Sequence, residues 1–159
     1  MSTPEERLGE LGLSLPEVAK PVATYVPAVR SGNHVFTSGQ LPMRSGELLT
    51  TGKVGGGVDT EQAGECARQC ALNALAAVNA EVPLDQVTRI VKLVVFVASA
   101  PDFTGQPGVG NGASHLMGEV FGDAGRHARS AVGVAVLPLD APVEVEAVFE
   151  VGSGAPAGG

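Results

Sequence analysis

Tryptophan is absent from this chain of 159 residues, tyrosine occurs once, and aromatic residues make up only 4% of it. A core built mostly from small side chains removes less apolar area from water per residue. A domain of this size is then expected to draw on oligomerisation for part of its burial. Charge is sparse as well, at 17%. Cysteine occurs twice, at Cys66 and Cys70, too few for a disulfide framework. No apolar run reaches the length of about 18 residues that a membrane helix requires, so no membrane span is expected. The opening stretch MSTPEERLGELG lacks the basic and apolar regions of a secretory signal, and a cytoplasmic location is the resulting expectation. Ten Lys and Arg against 17 Asp and Glu leave a formal charge of -7. That balance argues against nucleic acid as the main partner, because phosphate binding needs a basic surface. A small anion held by one or two arginines remains compatible with it.

What the chain does contain is apolar: 44% hydrophobic residues, mostly Ala and Val, with a mean hydropathy of +0.20. This composition excludes disorder of the whole chain, and the length fits one domain. Residues 1–20 read as a short helical extension, with Thr3 as cap, Pro4 at the first position and Glu6 closing the box. Residues 152–159, GSGAPAGG, read as a flexible tail. Between them, 21–151 read as a single domain. Segments 21–29 and 34–38 are expected strands joined at Ser31-Gly32-Asn33, and 43–58 an expected loop. A helix is expected over about 60–80, capped by Asp59 or Thr60, with Ala63, Ala67, Cys70, Ala74 and Val78 on one stripe.

Segment 88–98 is apolar on both strand faces and should be covered on both sides. Residues 105–112 read as irregular, followed by a helix to Phe121. In 143–151 every second residue from Val143 is apolar, the mark of a strand with one buried face. In 130–136 branched Val132, Val134 and Val136 alternate with small Ala131, Gly133 and Ala135. The order ββαβαββ predicts an α+β fold: a mixed sheet with two helices on one face, the small-residue face left to meet another subunit.

Motif rules alone give no reaction class. Cys66 and Cys70, one helical turn apart, would hold their Cβ atoms about 5–6 Å apart, too far for an unstrained disulfide, and they read as small buried residues. His34, His115 and His127 show no metal-ligand spacing. The glycines at 55–57 are not followed by the Gly-Lys-Ser/Thr of a phosphate loop. No Gly-x-Ser-x-Gly elbow occurs. Arg129 at a strand entrance fits either a solvated edge charge or a fork for a planar carboxylate. Glu146 fits either an exposed strand glutamate or a functional one, and Arg126 reads as surface charge.

The stretch Ala128-Arg129-Ser130-Ala131-Val132-Gly133-Val134, then Leu137-Pro138, then Val143-Glu144-Val145-Glu146-Ala147, resembles the C-terminal signature of the Rid family, the reactive intermediate deaminases also called YjgF or L-PSP proteins. Tyr25-Val26, Thr37-Ser38-Gly39-Gln40-Leu41-Pro42 and Asn73 resemble its N-terminal half, and Val94-Val95-Phe96-Val97 and Asn111 its middle. The resemblance spans about residues 20–151. It implies a chorismate-mutase-like fold, three subunits around a central barrel with clefts at their interfaces, and no cofactor or metal. It also implies hydrolysis of imines and enamines such as 2-aminoacrylate to 2-keto acids and ammonia. On that resemblance Arg129 would bind the substrate carboxylate and Glu146 would position the attacking water. Tyr25, Ser38, Gly39, Asn111 and Ala131 would line the cleft. Ala131 stands where many compact members carry cysteine, and a backbone carbonyl there would hold a water instead. A carboxylate-binding or regulatory protein of the same fold is the alternative, and an endoribonuclease the more remote one.

Overall fold

The computed structural model of the protein describes residues 1–21 and 23–154. Residues 155–159 of the expected tail and Val22 lie outside the described residues. Helix α1 (Pro4–Glu10) starts as its capping box predicts, with the Thr3 hydroxyl accepting from the Glu6 amide at 3.1 Å and the Glu6 carboxylate accepting from the Thr3 amide at 2.8 Å. Leu8 is buried, and Leu13 and Leu15 pack against the core. The extension is therefore fastened to the domain rather than trailing from it.

Strands β1 (Ala28–Ser31) and β2 (His34–Thr37) form the expected hairpin, but Pro21 and residues 23–27 are not in strand. Pro21 and Pro27 bring no amide proton to a ladder, which accounts for the later start. The expected loop at 43–58 contains a small hairpin of its own, β3 (Met43–Arg44) and β4 (Glu47–Leu48). Its turn, Ser45-Gly46, has positive φ at both residues, the geometry that matches the strand twist. Helix α2 (Thr60–Glu81) is capped by Asp59, which accepts from the Gln62 amide at 2.8 Å, and all five stripe residues are buried.

Strand β5 (Val87–Ala98), helix α3 (Gln106–Phe121), strand β6 (Ala128–Val134) and strand β7 (Val143–Val151) complete the fold. The sheet order is β1-β2-β7-β5-β6, and only β5 and β6 run parallel. Both α2 and α3 lie on one face, with α1 as a third, short helix beside α3.

The structure departs from expectation at α3, at β6 and at β5. Residues 106–112 are helical, not irregular. A Cβ at Gly112 would run into the Gly64 carbonyl of α2, so glycine sits there because the two helices approach backbone to backbone. The faces of β6 are also the reverse of those expected. Ala131 and Gly133 align with Val95 and Val97, which are buried under the helices. A Cβ at Gly133 would lie 2.8 Å from the Gln106 amide nitrogen of α3, so small residues are needed on this face. Val132 aligns with Phe96 on the uncovered face. That face also carries Phe36, Val94 and Val148, so within one chain β5 is covered on one side only.

Candidate functional site

The expected site residues fall into two groups on opposite faces of the sheet. Arg129 aligns with Leu93, so its side chain rises on the helix-covered face, at the outer edge of the sheet, and meets α3. Its Nη1 donates to Asn111 Oδ1 and to Ser114 Oγ, both at 3.0 Å, and its Nη2 to the Pro107 carbonyl at 3.1 Å. Buried Gly110 lies directly beneath, where a Cβ would come within 3.1 Å of Nη1 and 3.5 Å of the Ala131 methyl. Ser114 Oγ is 2.8 Å from His127 Nε2, and His127 Nδ1 is 2.7 Å from the Gly125 carbonyl. Arg129, Asn111 and Ala131 are thus brought together, apart from Tyr25, Ser38, Gly39 and Glu146. Ser114 and His127 were not foreseen. Pro107, Asn111 and Ser114 stand four and three apart, one face of a helix, and that spacing was the available signal.

The second group surrounds a cavity of about 600 Å³ at the end of the sheet where β2 leads into Gly39 and Gln40. Tyr25, 46% exposed, borders it beside the segment 16–21. Met43 to Gly46 and Leu139 border it elsewhere, and Glu144 of β7 points in. The Glu144 carboxyl lies against the Gly39 backbone. A Cβ on Gly39 would sit 2.8 Å from Cδ and 3.0 Å from Oε2, so any larger residue there would displace the carboxyl group. Burial raises the Glu144 pKa above its ordinary value, and Glu146, two residues along the same face, raises it further.

Ser38 does not line the cavity. Its hydroxyl donates to the Val26 carbonyl at 2.6 Å and its amide to the Pro27 carbonyl at 2.8 Å, which ties the Tyr25 segment to β2. Buried Asn73 of α2 donates to the Leu41 and Met43 carbonyls at 3.0 Å each and accepts from Gln69 at 3.0 Å, fixing the loop that carries Met43. Glu146 lies outside both groups, facing a shallow depression with Phe36, Lys92, Val94 and Val148 on the uncovered face. The cavity holds Glu144 instead, with Glu17, Lys20 and Arg44 also on its wall.

Elsewhere, Cys66 and Cys70 are buried free thiols, and burial followed by nearby Glu65 pushes Cys66 up to about 11. Among the described residues no three of His, Cys, Asp and Glu come together as a metal site, and no helix is long and apolar enough to cross a membrane.

The sheet order, with its parallel pair β5–β6 bridged by α3, belongs to a class of fold that comparison identifies. A family model described as Endoribonuclease L-PSP matches residues 16–151, and the chain belongs to this family, the L-PSP, YjgF or Rid proteins. It is similar to Protein TCP17 of Trypanosoma cruzi, at 47% identity over 90% of this chain and 91% of that protein. It is also similar to a 2-iminobutanoate/2-iminopropanoate deaminase of Dermatophagoides farinae, at 33% identity over 86% and 92%. A solved structure described as a putative endoribonuclease from Shewanella oneidensis superposes with a TM-score of 0.90, at 34% identity over 94% of this chain and 100% of that one.

Proposed function

We propose that the protein hydrolyses imines and enamines bearing a carboxylate, of the 2-aminoacrylate kind, to 2-keto acids and ammonia, in clefts between the subunits of a homotrimer. One observation carries this reading. A prepared cation, Arg129, and a carboxyl of raised proton affinity, Glu144, lie on opposite faces of one sheet. Arg129 is not part of the Glu144 cavity within one chain, whereas two copies of the chain can bring the pair to one cleft. The Dermatophagoides relative, by its name a deaminase, supports the chemistry. The net charge of -7 counts against the endoribonuclease description that the family model carries.

In this mechanism the guanidinium of Arg129 holds the substrate carboxylate, leaving the imine carbon facing a water beside Glu144 of the neighbouring copy. An enamine first takes a proton on its terminal carbon to become the protonated imine. Water then adds to its carbon, the oxygen forming the new C–O bond as the C=N π pair moves onto nitrogen, while Glu144 accepts a proton from the water. Glu144 returns that proton to the nitrogen of the carbinolamine, the C–N bond breaks, and ammonia leaves as the hydroxyl gives its own proton to solvent and the carbonyl forms. An imine carbon is already electrophilic, so orientation and one proton relay supply much of the acceleration.

Ammonia release from 2-aminoacrylate, generated in place by a pyridoxal-phosphate-dependent serine lyase, tests the reading. The wild-type chain should accelerate it. Arg129→Ala should abolish both turnover and 2-keto-acid binding while staying folded, and Arg129→Lys should keep a small part, since lysine lacks the planar fork. Binding of 2-keto acid without turnover would favour a ligand-binding protein instead. Wild-type rate and affinity in folded Arg129→Ala would contradict the proposal.

A further inference from the structure

Arg129 does not stand alone. We propose that Ser114 and His127 are positioning residues that fix which edge of its guanidinium meets the ligand, an inference that rests on the reading of Arg129 as the carboxylate site. The hydrogen bonds of this cluster have only one consistent direction when the imidazole is neutral. The Gly125 carbonyl can only accept, so the proton of His127 is on Nδ1, 2.7 Å away. The Nε2 atom is then an acceptor, and the Ser114 hydroxyl 2.8 Å from it must donate. With its proton committed, Ser114 Oγ offers only lone pairs to Arg129, and Nη1 donates to it at 3.0 Å. The other tautomer would set two lone pairs against each other at Gly125.

The consequence is read by counting donors. A guanidinium has five N–H bonds. The two on Nη1 go to Asn111 and Ser114, and one on Nη2 goes to Pro107. Among the described residues, Nε–H and the second Nη2–H have no partner. Those two donors are what remains for a planar carboxylate, and Asn111 serves by holding Arg129 rather than by touching the substrate. A long side chain fixed in advance loses less rotamer freedom when the ligand arrives. Without the Ser114 hydroxyl, one Nη1–H is released and the guanidinium can turn away from this orientation. A role in folding alone would leave affinity for a carboxylate untouched.

Binding of 2-oxobutanoate by calorimetry, together with steady-state kinetics, tests the assignment in the full-length protein. Ser114→Ala and His127→Phe should weaken 2-oxobutanoate and raise KM by about fivefold to tenfold, the loss of one hydrogen bond, while kcat changes little. His127→Gln keeps an acceptor for Ser114 and should recover most of the affinity. Nitrogen-15 spectra of the wild-type chain, at a pH where the ring is neutral, should show His127 protonated on Nδ1, a readout that needs no variant. An Nε2–H tautomer, or wild-type affinity in Ser114→Ala, would overturn the positioning role alone. If the wild-type chain binds no 2-keto acid, the reading of Arg129 fails and this inference fails with it.

Discussion

Glu144 and Glu146 share a strand, a face and a charge, yet only Glu144 reaches the cavity. The difference comes from position along β7. The backbone of Gln40 pairs with Val145, which draws Gly39 against Glu144 and leaves Glu146 over the open sheet. Period-two alternation locates both glutamates on one face but carries no information on where the chain after β2 crosses it, so the sequence alone could not separate them. Ser114 and His127 were hidden for a similar reason, being 13 residues apart, one on α3 and the other in the link before β6. Arg129 and Asn111 were legible only through family resemblance.

The raised pKa of Glu144 has a testable consequence. Its folded value lies above the ordinary 4.5, so the folded chain keeps a proton that the unfolded chain has lost. Stability therefore falls as pH rises from the ordinary value through the folded one. Glu144→Gln removes that cost. Thermal melts should show the variant more stable than wild type near neutral pH, with the gap closing below about pH 4 where both forms are protonated, and turnover lost throughout. A variant less stable than wild type at neutral pH would contradict burial as the cause.

Among the elements, α2 and β7 follow directly from their apolar patterns, because a stripe at helical spacing and strict alternation each admit one good burial. Helix α3 does not. Its glycines read as loop, since each costs about 0.8–1 kcal/mol relative to alanine in a helix. The compensation is tertiary and comes from the crossing with α2, which no local pattern encodes. The faces of β6 were misassigned because alternation of small and branched residues marks two faces without saying which one the helix covers. Two glycines of α3 separate propensity from packing. Gly112→Ala should destabilise by about 1–3 kcal/mol, since its methyl would enter the Gly64 carbonyl. Gly118→Ala, exposed on the same helix with nothing within 4 Å of the new methyl, should stabilise by about 0.5–1 kcal/mol. Chemical denaturation measures both, and shifts of the same sign would refute the packing explanation.

At the scale of the whole molecule, one chain leaves the far face of its sheet uncovered. Phe36 is 47% exposed and Val132 43%, with Val94, Phe96 and Val148 half-buried around them. The paucity of aromatics led to an expectation of burial shared between subunits, and this face is where such burial would occur. A trimer built on it would also unite the Arg129 group of one copy with the Glu144 group of the next, which is the central claim of the proposed function. Mixing Arg129→Ala and Glu144→Gln chains in equal amounts, under conditions that let subunits exchange, tests it most directly. Each variant alone should be inactive. Random assembly should restore about a quarter of wild-type deaminase activity, because a cleft with Arg129 from one chain and Glu144 from the other is intact. A mixture that forms mixed oligomers and stays inactive would contradict a site shared between subunits.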